Sequence, residues 1–179
     1  MRQFCLIAAV MAPPAFADCP PVPDIETEQA RLLAEVRVAP NEYAARQLSN
    51  ALWALWVQAP DAKAQALLDQ GMAAHRSFDH AAALVAFDEL IAYCPDYAEG
   101  YNQRAFVNYT SLKYDAALAD LDLALQRRPQ HLGALTGKAL TLMGLERDTE
   151  AQRVLRGALE INPWLSERRF LTDPEGRDL

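Results

Sequence analysis

The sequence predicts an all-α fold, a superhelical array of antiparallel helix hairpins. Three observations predict it. Pro95, Pro129 and Pro163 follow one another at a step of 34 residues. The same step relates two columns of small residues: Gly71, Ala105 and Ala139, then Ala83, Ala117 and Ala151. It also relates larger apolar residues: Phe87, Leu121 and Leu155, and Leu67, Tyr101 and Leu135. A fixed period of this length, punctuated by helix breakers, marks stacked helix–turn–helix units.

The elements follow in chain order. Arg2, the apolar stretch from Phe4 to Met11 and the small-x-small triplet Ala15-Phe16-Ala17 read as a secretory signal peptide, residues 1–17, cut after Ala17. Pro13 and Pro14 speak against a core helix there. Residues 18–24, Asp-Cys-Pro-Pro-Val-Pro-Asp, form an extended, proline-rich leader. Residues 25–60 read as a degenerate hairpin. Its first helix runs from Ile25 to about Val38 and stops before Pro40. Its second is capped by Asn41 and runs to about Gln58, ahead of Pro60. Tyr43, Leu48, Leu52, Leu55 and Trp56 recur there at roughly helical spacing, and Trp53 broadens the stripe. This pair lacks the later columns and is expected to cover the exposed face of the first repeat.

Residues 61–163 read as three regular hairpins. They break near Arg76 to Asp79, near Ser111 to Lys113, and near Gly144 to Arg147. The small columns sit where paired helices approach, since a bulky side chain there would force them apart. Residues 164–179 open with Trp164, Leu165, Phe170 and Leu171, a short cover for the last repeat, and end in a polar tail from Asp173.

Composition narrows the function. Hydrophobic residues make up 51% of 179, with only 7 glycines, which suits a helical globular chain. The formal charge of -7 argues against nucleic acid and against anionic membrane surfaces, both of which need basic patches. No apolar run is long enough to span a bilayer.

Sites of chemistry are missing from the pattern. His75 and His80 are five apart, which does not place both on one helix face, and no carboxylate spacing completes a metal site. There is no CxxC and no glycine-rich phosphate loop. The sequence therefore predicts no catalytic residues, no cofactor and no metal, and a binding module in place of an enzyme. With Cys5 in the signal segment, Cys19 and Cys94 remain. In an oxidising compartment the pair invites a disulfide; the other reading is two unrelated thiols. Antiparallel helices alternate between two poles, so the first helix starts and the fourth ends at one pole, and two hairpins set those points roughly 20–30 Å apart. Residues 19–25 reach roughly 20 Å, so the bridge is at the edge of reach.

From Ala64 to Pro163 the chain resembles the tetratricopeptide repeat family. The second repeat carries the resemblance most cleanly, in Tyr101, Ala105, Tyr114, Ala117, Leu121, Ala124 and Pro129. The first repeat departs with Phe78, a turn aromatic slightly out of register, and Leu90; the third has Asp148 where a turn aromatic is usual. The resemblance implies a concave groove lined by the first helix of each repeat. Carried over position by position, the groove holds Gln65, Leu68, Met72 and His75, then Glu99, Asn102, Phe106 and Tyr109, then Gly133, Thr136, Leu140 and Met143. Such a surface suits an apolar or amphipathic peptide. Relatives that hold a peptide carboxylate use a clamp of lysine, asparagine and arginine; the matching positions here, Leu68, Met72, Gln103, Gly133 and Gly137, carry no cation, so that mode is not expected. Gly133 and Gly137 have two readings: a flat strip for a ligand backbone, or close helix packing. The expected function is an exported interaction module for a protein or peptide segment. The alternative is a cell-envelope assembly or maturation factor, like the tetratricopeptide subunits of cytochrome c maturation.

Overall fold

The computed structural model describes residues 18–172, so the predicted signal segment and the polar tail from Asp173 lie outside the described residues. Eight α-helices follow one another: α1 (Glu26–Arg37), α2 (Glu42–Trp56), α3 (Ala62–Arg76), α4 (His80–Tyr93), α5 (Ala98–Thr110), α6 (Tyr114–Arg127), α7 (Leu132–Gly144) and α8 (Asp148–Ile161). A 3-10 turn, Ser166–Phe170, ends the described chain's regular structure. Side-chain oxygens begin several helices: Asn41 accepts from Ala44, Asp61 from Ala64 and Asp79 from Ala82. Each satisfies an amide that the helix itself leaves open.

Helices α3 to α8 form three hairpins, and each second helix packs on the first helix of the next hairpin. The 34-residue columns make this possible. Ala83, Ala117 and Ala151 are fully buried where helices cross. Gly71 lies directly under the Phe87 ring, which would clash with any Cβ there. A Cβ at Gly144 would stand 2.6 Å from the Tyr114 ring. Ion pairs keep the same period: Arg104 bonds Asp88 at 2.7 Å, and 34 residues on, Lys138 bonds Asp122 at 2.5 Å. Replacing Ala117 by Leu should destabilise the array by about 1–3 kcal/mol through overpacking. A thermal melt unchanged by Ala117→Leu, beside an exposed Ala→Leu control, would show that this column is not a helix crossing.

The turns correct one reading. Phe78, Leu112 and Glu146 have φ of 62°, 59° and 59° and share the 34-residue step. Phe78 is thus the left-handed residue of its turn and is 85% exposed, not a displaced turn aromatic. The position equivalent to Tyr114 in the first repeat is His80. Its ring stacks on His75 with centroids 5.3 Å apart, and its Nδ1 meets Ser111 Oγ at 2.8 Å. The two histidines meet because the helix breaks between them, so single-helix spacing does not apply.

The largest correction concerns α1 and α2. They do not cap the first repeat. Their apolar face, with Leu32, Leu33, Val36, Leu52 and Trp56, shares a core with Leu132, Leu135, Ile161, Trp164 and Leu165. The hairpin therefore lies across the far end of the array. It supplies the cover for the last repeat that the 3-10 turn is too short to give. Asn162 Nδ2 donates to Ser49 Oγ at 3.2 Å, and Tyr97 Oη donates to the Trp56 carbonyl at 2.8 Å. Burial raises the Tyr97 phenol's pKa far above its ordinary value, which keeps that donor protonated.

This path also explains the disulfide. Cys19 and Cys94 are bonded, with Cα atoms 5.1 Å apart. The leader's Val22 packs in the core of the first hairpin, and Val22, Pro23 and Ile25 lie beside Tyr97. The chain enters next to the end of α4 and then crosses to the last repeat. The 20–30 Å gap expected for a leading cap does not arise.

Candidate functional site

The concave side of the array holds a pocket of about 390 Å³, built by α3, α5 and α7. Met72, Phe106 and Leu140, one residue per repeat in one column, supply its apolar wall. His75 and Tyr109 line it from the next turn, and Asn102 and Thr136 from the turn before. Phe106 is half-exposed, and the His75 ring meets it edge-on with centroids 4.8 Å apart. Burial, then the nearby charge of His80, lowers the His75 pKa, which favours the neutral ring. His75 Nδ1 is buried with no hydrogen-bond partner among the described residues.

Several expected groove residues lie elsewhere. Leu68 is 0% exposed and belongs to the core of the first hairpin, which Val22 of the leader and Val57 and Ala59 of the α2–α3 connection pack against. The chain's own N-terminal segments fill that end of the groove. Gln65 Oε1 accepts from the Ala59 amide at 3.1 Å and ties down the same connection. Met143 is half-buried and does not line the pocket. Glu99 is 1% exposed and faces away from the pocket, toward α7. Gly133 and Gly137 line the pocket. A Cβ on Gly133 would come 3.3 Å from the His131 ring, and one on Gly137 3.1 Å from Leu121. Close packing and an open strip thus apply to the same residues.

Other residues complete the pocket without having been expected there. Trp53 comes from α2 and reaches it because the hairpin folds over the array, and Glu167 comes from the 3-10 turn. Arg76 lines the pocket from the end of α3, an exposed cation where none was expected.

Behind the pocket floor runs a buried polar latch. His131 Nε2 and Glu99 Oε2 are 2.7 Å apart, and both residues are almost wholly buried. His131 Nδ1 accepts from the Ala134 amide at 3.2 Å and so caps α7. That leaves Nε2 to carry the proton donated to Glu99. The Trp56 ring stacks on His131 with centroids 4.2 Å apart. Trp56 Nε1 donates to Gln29 Oε1 at 2.8 Å, and Arg128 donates to the same oxygen at 3.0 Å. The latch joins α1 and α2 to the start of α7. Among the described residues no group of three or more His, Cys, Asp or Glu is placed to hold a metal ion, and no helix is long and apolar enough to cross a membrane.

No family model matches the chain. A TPR repeat-containing protein of Rhizobium etli is 31% identical over 119 residues, 66% of this chain and 58% of that protein. The chain thus spans 58% of the length of this curated relative. Among solved structures, the first TPR of Spaghetti bound to an HSP90 peptide superposes with a TM-score of 0.58 at 20% identity, covering 59% of this chain and 83% of that one. The TPR2B domain of yeast Sti1, in complex with pHsp70, gives 0.57 at 24%, covering 62% and 90%. The MamA protein gives 0.52 at 20%, covering 76% of each chain. These likenesses show a shared superhelical hairpin fold.

Proposed function

The chain is a tetratricopeptide-repeat protein, and from that premise we propose that it is an exported interaction module that binds a peptide segment of a partner protein in its concave pocket. The observation that carries the reading is the apolar column Met72, Phe106 and Leu140, left uncovered on the concave side while the rest of the groove is filled by the chain itself. Two of the solved neighbours hold a peptide or protein partner, which supports the same use of the fold here. The bonded cysteines support an oxidising compartment, as does the signal-like segment 1–17. N-terminal sequencing of the exported chain should begin at Asp18.

The pocket itself is tested by substitution. A partner is identified by crosslinking in the envelope fraction and its segment is titrated against purified protein. Phe106→Ala and Tyr109→Ala should each weaken binding by at least about 1 kcal/mol, as aromatic anchors do. Phe78→Ala, exposed in a turn outside the pocket, should leave affinity unchanged. Equal affinity for all three variants and the parent would place the partner on another surface.

A further inference from the structure

We propose that the pocket takes the free amino end of a peptide whose first side chain is apolar. This deepens the peptide-binding reading and rests on it. The polar atoms offered by the pocket floor are largely acceptors. Glu99 accepts from Asn102 Nδ2 at 3.2 Å and from Gln103 Nε2 at 2.5 Å. A carboxylate has no proton to give, so both amide groups are held with nitrogen toward Glu99. Their oxygens meet no donor among the described residues. Asn102 and Gln103 are only 7% and 6% exposed, yet both line the pocket.

Thr136 adds a third acceptor. Its single hydroxyl hydrogen is directed at the backbone carbonyls of Leu132, at 3.0 Å, and Gly133, at 3.2 Å. Only lone pairs are left for a ligand. Thr141 Oγ1, in a fully buried residue of the same lining, has no partner among the described residues. Such an orphan is costly unless a ligand group meets it.

Formal charge at the lining is balanced, one carboxylate against one guanidinium, so the free acceptor oxygens decide which peptide end fits. Glu167 brings a carboxylate to the lining, and Arg76, exposed, is the one Lys or Arg among the described lining residues. A peptide carboxylate would set its oxygens against those of Asn102, Gln103 and Thr136. An ammonium brings three donors to them, and the apolar column receives the first side chain. Trp53 and Glu167 also limit the length of the groove. About 390 Å³ suits the end of a chain, not a helix laid along three repeats.

Three probes of one composition test this: Phe-Leu-Ala-amide with a free amine, its N-acetylated form, and acetyl-Ala-Leu-Phe with a free carboxylate. Binding is read from amide shifts of Gly133 and Gly137 in NMR titrations. The free-amine probe should bind at least tenfold tighter than either of the others. Thr136→Val, close in shape, should cut that preference severalfold with the fold intact, and Gln103→Leu should do the same. If the acetylated or carboxylate probe binds as tightly as the free amine, the amino-end proposal is overturned while peptide binding stands. If no probe moves Gly133 or Gly137, both fall.

Discussion

Cys19→Ser is expected to lower the stability of the oxidised protein by about 2–4 kcal/mol. The bond spans 75 residues, and the chain-entropy model assigns such a loop about 4 kcal/mol. The loop encloses α1, α2, α3 and α4, so the unfolded chain loses much freedom when it is closed. The folded state gains as well. The bond holds the leader where Val22 packs on the first hairpin, next to the start of α1. Denaturant unfolding with and without reductant measures the effect. Reduced parent and Cys19→Ser should coincide, both below the oxidised parent. An oxidised parent no more stable than the variant would show that the bond does not constrain the unfolded chain.

Glu99→Ala is expected to cost about 3–5 kcal/mol, because unmet buried donors cost about 1–3 kcal/mol each. Three donors, His131 Nε2, Asn102 Nδ2 and Gln103 Nε2, lose one buried acceptor together. His131 is 0% exposed, so water cannot take the acceptor's place without a rearrangement. The damage should reach the N-terminal hairpin, because Trp56 stacks on His131. Limited proteolysis should then cut near Pro60 faster than in the parent. Adding His131→Leu to Glu99→Leu removes one of the three stranded donors, so the pair should cost less than the sum of the two single changes. If Glu99→Ala melts like the parent and resists protease equally, the latch does not hold the hairpin.

Much of the array was legible because its physics is local and repeated. A crossing of two helices tolerates only a small residue, so Ala83, Ala117 and Ala151 had to recur at one step. Two parts of the site were not legible for the same reason reversed. Leu68 sits in the groove column of its repeat, but Val57, Ala59 and Val22, which lie in no repeat, pack on its core. Trp53 and Glu167, more than 100 residues apart, line one pocket. No spacing rule relates them.

By itself, then, the sequence determined the hairpin array, its period and the places of its turns. Each follows from neighbours along the chain or one repeat away. Only the tertiary structure decided where α1 and α2 go. An amphipathic hairpin can cover either end of a solenoid, because burial is not directional. The last repeat won through specific partners: Leu132, Leu135, Ile161 and Trp164 for its apolar face, and His131 and Arg128 for Trp56 and Gln29. That choice brings Cys19 to Cys94 and shortens an open groove to a pocket.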